Sequence, residues 1–258
     1  MCTAFIHNGA DVIFGFNMDI NEGAFPYDVY ATDEWFGVGT PAELDAFSGQ
    51  PEGLPAFYRV SNGVRRIHGV SRRGAFAACL NNMNVHKAPF RLAEDACSLD
   101  QLTDDVISGR RSLEEVRRFA RQVEIVTLPG GAVDVPNPGF HALMGDAEGS
   151  ILLVEPGSGC AAVREKFAVM TNFPLLEPPS DLTEAAGYYG KDRYDTAAAM
   201  LRAAGDGLTP EDALSVLRAT RQTGNWATRV SFVYSRNRNT VYYCLQGDFE
   251  DIRIHRFD

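Results

Sequence analysis

The stretch Met1–Asp19, MCTAFIHNGADVIFGFNMD, has the pattern of two β-strands joined by a tight turn. Both halves are mainly apolar, and the Asn8-Gly9 dipeptide between them is typical of hairpin turns. If the initiator methionine is removed, Cys2 carries both a thiol and a free α-amine. A thiol pKa is about 8.5 and an α-amine pKa about 7.7 to 8.0, so moving the proton from sulfur to nitrogen costs only roughly 1 kcal/mol. The stretch therefore predicts a nucleophile that supplies its own base.

The position of Asp19 relative to Cys2 depends on the length of this turn. With a turn of two or four residues, Cys2 lies opposite Gly15 or Asn17, and Asp19 points to the same face as Cys2 because strand side chains alternate. A paired or diagonal neighbour on that face is about 5 to 8 Å away, close enough for a carboxylate to orient an ammonium. A five-residue turn reverses the parity and places Phe16 opposite Cys2. The register stays open at this point.

Further blocks along the chain carry a resemblance to a known family. They are Met-Cys-Thr at the start, Gly-Phe-Asn-Met-Asp at 15–19, Cys-Leu-Asn at 79–81 after Arg73-Gly74, and Met-Thr-Asn-Phe-Pro at 170–174. Together they resemble the linear amide C–N hydrolases of the N-terminal nucleophile superfamily, which include choloylglycine hydrolases, penicillin V acylases and related acyltransferases. The resemblance extends loosely over most of the remaining chain. It implies an α+β fold, a four-layer αββα sandwich with two stacked, mainly antiparallel sheets between helical layers.

The resemblance also implies roles for the matching residues. Cys2 is the nucleophile, and Asp19 orients its ammonium as the third group of a triad orients a base. Asn172 and Asn81 stabilise the oxyanion of a tetrahedral intermediate through a side-chain amide or a backbone N–H. Asn82 competes with Asn81 for one of these positions, and the family spacing favours Asn81.

The cations expected near the nucleophile differ from the family pattern. The bile-salt and penicillin V enzymes that this chain resembles have arginine in a Gly-Arg-Asn-Met-Asp motif, whereas this sequence has Phe16. An apolar ring cannot stabilise a thiolate or hold a substrate carboxylate, and this departure points away from bile salts. Arg221 lies where these enzymes have an arginine ahead of the last strands and is the expected cation. Arg229 is the alternative, although it is expected to alternate outward on its strand.

Structural interpretations compete with these roles. A free cysteine is most often a small buried apolar residue, and asparagine is common in turns at strand ends. Asp19 could simply end its strand, and Arg221 could be a solvated charge at a helix end. The position of Cys2 combined with the later blocks favours the nucleophile. A Cys-His hydrolase that uses Cys79 or Cys160 is a further alternative without a supporting local motif.

Composition limits the class of protein and its partners. The chain has 258 residues, of which 45% are hydrophobic, enough for one large domain over residues 1–258. A net charge of -10 argues against binding to nucleic acid or to an anionic membrane surface. The five cysteines form no CxxC pair and the five histidines have no metal-ligand spacing, so we expect neither a disulfide framework, a metal nor a cofactor. No signal-peptide pattern opens the chain, which predicts a cytoplasmic location.

Strand and helix patterns alternate in blocks along the chain. Two strands are predicted within 58–80, helices within 98–121, strands within 140–170, helices at 194–204 and from Thr209, and strands within 229–257. Ser112 and Glu115 form a predicted capping box, and Thr209-Pro210 marks a helix start. This alternation predicts stacked layers of helix and sheet.

The predicted function is cleavage of a linear, non-peptide amide of a small N-acylated molecule through a thioester on Cys2. If an amine intercepts the thioester before water does, the same residues make an acyltransferase. A non-catalytic small-molecule-binding protein on the same scaffold is the alternative from another class. The predicted pocket lies in residues 21–62, and an apolar acyl group is expected to contact aromatic residues, namely Phe16, Phe25, Trp35, Phe36 and Phe57. The sequence leaves the oligomeric state open.

Overall fold

The computed structural model describes residues 1–21, 23, 27–41, 64–82, 96–126, 139–176 and 189–258. The strands are β1 (Cys2–Asn8), β2 (Val12–Asp19), β3 (Asp28–Ala31), β4 (Trp35–Pro41), β5 (Val64–Ser71), β6 (Phe76–Asn82), β7 (Ala96–Ser98), β8 (Glu124–Val126), β9 (Gly139–Gly145), β10 (Ile151–Glu155), β11 (Gly159–Val163), β12 (Phe167–Met170), β13 (Thr228–Ser235), β14 (Thr240–Leu245) and β15 (Arg253–Arg256). The α-helices are α1 (Leu99–Ile107), α2 (Leu113–Phe119), α3 (Lys191–Ala204) and α4 (Pro210–Ala219).

Two large sheets contain most of the strands. The six-stranded sheet has the order β12-β1-β2-β13-β14-β15, and the seven-stranded sheet has the order β11-β10-β9-β6-β5-β4-β3. Every pairing within these two sheets is antiparallel, whereas β7 and β8 form a small separate parallel pair. The predicted pair of antiparallel sheets is confirmed.

Three apolar cores separate four layers. The inter-sheet core lies between the sheets and includes Phe14, Phe76, Leu143 and Phe232. A second core packs the seven-stranded sheet against α1 and α2, and a third packs the six-stranded sheet against α3 and α4. Central strands such as β1 are therefore covered on both faces, which explains their almost continuous apolar sequences. The result is the αββα sandwich that the family resemblance implied.

The opening hairpin pairs Cys2 with none of the three partners considered from the sequence, Gly15, Phe16 and Asn17. Asn8 pairs with Val12 across a three-residue loop, and Cys2 consequently pairs with Met18. The parity is that of the five-residue alternative, so Asp19 does not share a face with Cys2 as it would with a two- or four-residue turn. Cys2 and Met18 belong to the inter-sheet core, whereas Asp19 lies on the helix-facing side of its sheet.

Helix ends follow the predicted capping chemistry. Ser112 and Glu115 form a reciprocal capping box at α2, and Thr209 forms another with Asp212 at α4. Helix α3 begins at Lys191, three residues before the predicted start at Tyr194, and this extra turn contributes to the candidate site. No helix among the described residues has the length and apolar character needed to cross a membrane.

Candidate active site

The backbone nitrogen of Cys2 is held by a residue from a distant part of the chain. Its N–H donates to Oδ1 of Asn172 at 3.0 Å, in a buried contact between the first residue of β1 and the segment after β12. Cys2 itself is 8% exposed and lies among the residues of the inter-sheet core. The predicted nucleophile and Asn172 are therefore brought together by the pairing of β1 with β12.

The amide of Asn172 has one orientation that satisfies all its neighbours. Oδ1 accepts from Cys2 N and from Nη2 of Arg193 at 2.7 Å, while Nδ2 donates to the backbone carbonyl of Asn81 at 2.6 Å. Exchanging oxygen and nitrogen would set two donors against the amide nitrogen and a carbonyl against the amide oxygen. One hydrogen on Nδ2 is committed to Asn81 in this arrangement, and the second is available to another acceptor.

Arg193, in the first turn of α3, is the cation that the described residues place at this site. Its Nη1 donates to the carbonyl of Cys2 at 2.5 Å and to Oγ1 of Thr3 at 2.9 Å, and lies 3.5 Å from Oδ2 of Asp19. The side chain is only 4% exposed. The preceding N-cap residue, Gly190, has φ +80, and a Cβ there would lie 2.4 Å from Nη2, so glycine leaves room for the guanidinium.

Asp19 reaches the site from the opposite face of its strand. Its Oδ1 accepts from Oγ1 of Thr228 at 2.6 Å, and its Oδ2 is the oxygen nearest Arg193. Burial raises the pKa of Asp19 to about 7, against the opposing effects of the Thr228 hydrogen bond and the Arg193 charge. Asp19 therefore lies within the predicted cluster, although its carboxylate binds the guanidinium rather than pairing directly across from Cys2.

Met1 is attached to Cys2 in this structure, and its ammonium donates to the backbone carbonyl of Asp19. Burial raises the pKa of the Cys2 thiol, and the positive charge at the amino terminus opposes that rise. The thiol is therefore mainly protonated while Met1 is present. The local charges are nevertheless arranged so that a positive group at the chain start favours the thiolate.

Phe16 is fully buried next to a neutral histidine. Its ring centroid lies 4.3 Å from that of His68 and 5.5 Å from that of Phe232. Burial and, to a smaller extent, the positive amino terminus lower the pKa of His68 to about 3. Nδ1 of His68 accepts from the Cys79 N–H at 3.2 Å, so the neutral ring carries its hydrogen on Nε2. The position of the family arginine is thus occupied by an aromatic core residue.

Asn81 and Asn82 differ in the direction of their side chains. Leu80 belongs to the inter-sheet core, so strand alternation directs Asn82 between the sheets and Asn81 toward the α1 side. Asn81 contributes its backbone carbonyl to Asn172. Oδ1 of Asn82 is buried, and none of the residues that the structure describes donates a hydrogen bond to it. The side chain that faces the same layer as Cys2 is therefore that of Asn82.

Several predicted site residues lie away from this cluster. Arg221 is exposed and donates to the carbonyl of Gly247 at 3.3 Å. The cation that was expected near Cys2 is therefore Arg193 and not Arg221. Trp35 belongs to the core beside α1 and lies between Tyr30 and Arg66, with centroid distances of 5.2 and 5.0 Å. Phe36 is buried in the inter-sheet core. Phe25 and Phe57 lie outside the described residues.

Arg193 is the residue that sequence reasoning missed. A signal for it exists, because Arg193, Ala197 and Leu201 follow one another at intervals of four on α3, and all three are buried. An arginine in such a stripe must point its charge toward a buried acceptor. His68 gave no comparable signal, because its environment depends on β2 and β6, which lie elsewhere in the sequence.

Solved structures with this architecture cover nearly the whole chain. The C2A mutant of a conjugated bile acid hydrolase from Clostridium perfringens aligns with a TM-score of 0.66 and 15% identity over 98% of this chain and 92% of that one. Penicillin V acylase from Agrobacterium tumefaciens aligns with a TM-score of 0.53 and 16% identity over 95% and 83%. This chain has the N-terminal nucleophile hydrolase fold. The predicted resemblance is confirmed at the level of that fold.

A third structure extends the comparison within this fold. The Caenorhabditis elegans ortholog of N-acylethanolamine-hydrolyzing acid amidase aligns with a TM-score of 0.53 and 14% identity over 91% of this chain and 93% of that one. No family model matches the sequence, and no curated protein matches it significantly. Within the described ranges, no group of three or more His, Cys, Asp or Glu side chains is placed to hold a metal ion.

Proposed function

We propose that this protein hydrolyses the linear amide bond of a small N-acylated molecule, with Cys2 as an amino-terminal nucleophile after Met1 is removed. The observation that carries the proposal is the buried contact of 3.0 Å between Cys2 N and Oδ1 of Asn172, with Arg193 and Asp19 around it. After removal of Met1 this nitrogen is the α-amine. Asn172 would then fix the direction of the group that serves as the base for the thiol.

The reaction follows from this pair of groups. The Cys2 thiol passes its proton to the α-amine, and the thiolate attacks the amide carbonyl carbon. When the C–N bond breaks, the ammonium gives that proton to the leaving amine and a thioester remains on sulfur. Water then loses a proton to the α-amine and attacks the thioester, the C–S bond breaks, and the acid leaves with the thiol restored. No group besides Cys2 has to change its covalent bonds.

Two amides are suitable donors to the oxyanion of each tetrahedral intermediate. Asn172 has an uncommitted hydrogen on Nδ2, and the side chain of Asn82 points into the layer that holds Cys2. Losing one such donor typically lowers transition-state stabilisation by about 2.7 to 4 kcal/mol. We therefore assign the second donor to Asn82 in preference to Asn81, whose carbonyl anchors Asn172.

The surroundings of Cys2 favour an uncharged acyl group. Phe16 is apolar, His68 is neutral because its pKa is near 3, and both lie in the inter-sheet layer beside Cys2. Neither Phe16 nor the neutral His68 offers a positive partner to a substrate carboxylate, and Arg193 is engaged on the helix-facing side. The proposed substrates are amides with neutral acyl groups, such as fatty acyl or aryl acyl amides.

The first test measures whether the amino terminus has lost Met1 and whether Cys2 reacts with an acyl donor. Intact mass of the purified chain is expected to lack methionine, and incubation with an activated acyl ester is expected to add one acyl group at Cys2. Cys160 supplies the matched control, because it is the partly exposed cysteine whereas the other four are buried. Cys2→Ala is expected to abolish both acylation and amide cleavage, and Cys160→Ala to leave them unchanged.

A panel of N-acyl amides then tests the activity itself. It includes N-acyl amino acids, N-acylethanolamines, acyl homoserine lactones, penicillin V and conjugated bile acids, with release of the amine as the measurement. Cleavage by the Cys2→Ala variant at the wild-type rate would remove Cys2 from the mechanism. Transfer of the acyl group to an added amine in preference to water would identify an acyltransferase, and a mass that retains methionine would favour the non-catalytic alternative.

A further inference from the structure

A histidine and a glutamate of the seven-stranded sheet are buried beside the segment that carries Asn172. His141 lies in β9 and Glu155 ends β10, and their side chains are 0% and 3% exposed. Leu143 and Leu153, two residues away on the same strands, belong to the inter-sheet core. Strand alternation therefore directs His141 and Glu155 between the two sheets.

One hydrogen-bond contact joins the two side chains of this pair, and three more connect the pair to the chain around Asn172. Nδ1 of His141 lies 3.1 Å from Oε1 of Glu155, and Nε2 lies 2.8 Å from the carbonyl oxygen of Thr171. The carboxylate accepts the backbone N–H of Leu175 at 2.7 Å and that of Leu176 at 2.9 Å. The pair thus holds the backbone immediately before the asparagine and again shortly after it.

These contacts determine the tautomer of His141 and favour the ionised form of Glu155. The carbonyl of Thr171 can only accept, so Nε2 of His141 carries a hydrogen. Burial opposes ionisation of Glu155, but the His141 hydrogen bond and charge and the two backbone N–H groups outweigh it and lower the pKa of this carboxyl. The contact between Nδ1 of His141 and Oε1 of Glu155 therefore belongs to a buried network that also contains the Thr171 carbonyl and the Leu175 and Leu176 N–H groups.

The backbone of residues 171–176, which this pair holds, links the two sheets at the candidate site. It follows β12 of the six-stranded sheet, whereas His141 and Glu155 belong to the seven-stranded sheet. Asn172 spans the same gap, since it contacts Cys2 in β1 and Asn81 in β6. A shift of this segment would lengthen both contacts of the asparagine amide together.

We propose that His141 and Glu155 form the positioning pair of this site, which fixes the backbone around Asn172 so that its amide holds the Cys2 amine beside the thiol. The inference rests on the proposed function, in which that amine is the base. Removing the pair frees the segment, and misplacement by about 1 Å can slow a reaction about 100-fold. The expected loss is in kcat and in the intrinsic reactivity of Cys2, with KM little changed.

The test compares His141→Gln with Leu143→Ala, a core truncation in the same strand and layer that leaves the hydrogen bonds to Thr171, Leu175 and Leu176 in place. Both variants are expected to unfold at a lower temperature than the wild type. The measurement is the rate at which iodoacetamide alkylates Cys2, mapped by peptide mass and followed against pH. In His141→Gln this rate is expected to fall at least about tenfold and the apparent pKa of the reaction to change, whereas Leu143→Ala is expected to show neither effect. Equal effects of the two variants, or wild-type alkylation in His141→Gln, would overturn the proposal.

A second measurement keeps the inference testable if His141→Gln does not fold. In the wild-type protein labelled with ¹⁵N at histidine, Nε2 of His141 is expected to carry the hydrogen that it donates to the Thr171 carbonyl, and an Nε2 without a hydrogen would overturn the proposal. Alkylation and ring protonation need no amide substrate. A protein that cleaves no amide but shows both expected results would therefore contradict the proposed function while supporting the positioning pair.

Discussion

Oδ1 of Asn172 lies 3.0 Å from the backbone nitrogen of Cys2, although 170 positions separate the two residues in the sequence. The same oxygen accepts from Arg193, whose other nitrogen binds the Cys2 carbonyl. One asparagine and one arginine therefore hold the backbone of Cys2 on both sides of its Cα atom. Under the proposed function, the direction of the α-amine is set before Met1 is removed.

Asn172→Asp is expected to separate the two functions of this amide. The carboxylate keeps an acceptor for Cys2 and Arg193 but loses the Nδ2 donor and with it the bond to the Asn81 carbonyl. Alkylation of Cys2 should therefore slow less than catalysis, for which kcat is expected to fall by about 10² to 10³. Steady-state kinetics and iodoacetamide alkylation measure the two effects. If the alkylation rate and kcat of Asn172→Asp fell by the same factor, the amide would serve only to hold the amine.

Arg193→Met is expected to destabilise the fold, because it leaves the buried carboxylate of Asp19 without its cation. Removal of one partner of a buried ion pair typically costs about 3–5 kcal/mol, measured here by urea unfolding at pH 8. Arg221→Met is the matched control, since that side chain is exposed, and its expected change lies within about 0.5 kcal/mol. Similar losses in both variants would contradict the assignment of Arg193 to the buried cluster.

Asp19→Asn is expected to alter how stability depends on pH. Burial raises the pKa of Asp19 from 3.8 to about 7, so the stability that its neutral form contributes is fully present below pH 3.8 and is lost as pH rises through 7. Asparagine remains neutral throughout. The free energy of unfolding of Asp19→Asn minus that of the wild type should therefore rise between these two pH values. Urea unfolding of both proteins with Met1 retained, across this pH range, measures the difference. A difference that stays constant with pH would contradict the raised pKa.

Phe16→Ala tests whether this ring is part of the core or contacts the substrate. Because Phe16 is fully buried against His68 and Phe232, the expected loss is about 3–5 kcal/mol of unfolding free energy. Phe14→Ala is the control, since Phe14 lies on the same face of β2 and stacks on Phe76 at 4.8 Å. A rise in KM in Phe16→Ala alone would indicate a direct substrate contact, whereas equal losses of stability with unchanged KM would indicate a core residue.

Much of the architecture could be predicted because its signals are local. The Ser112–Glu115 and Thr209 capping boxes, the doubly covered strands β1 and β6 and the order of strand and helix blocks all appear as patterns within short windows. The hairpin register was not predictable in this way. One residue more or less in the loop after Asn8 reverses the face of every following side chain, and Asn8-Gly9 is compatible with several loop lengths.

In the candidate site, too, residues within short sequence blocks could be predicted and residues brought in by tertiary packing could not. Cys2, Asp19 and Asn172 were found from blocks in the sequence, because each block marks a strand end whose place in the fold is fixed by its neighbours. Arg193 was not, since the sequence contains many arginines and only the packing of α3 on β1 buries this one.

The sequence by itself determined the layered fold and a cysteine placed at the chain start, because apolar periodicity, caps and turns act over a few residues. Tertiary structure alone decided which cation approaches Cys2, which face Asp19 occupies, and that His141 and Glu155 pair beside Asn172. Those contacts join residues from different strands and helices. Their energies depend on burial and on distances of about 3 Å, and only the folded chain sets these.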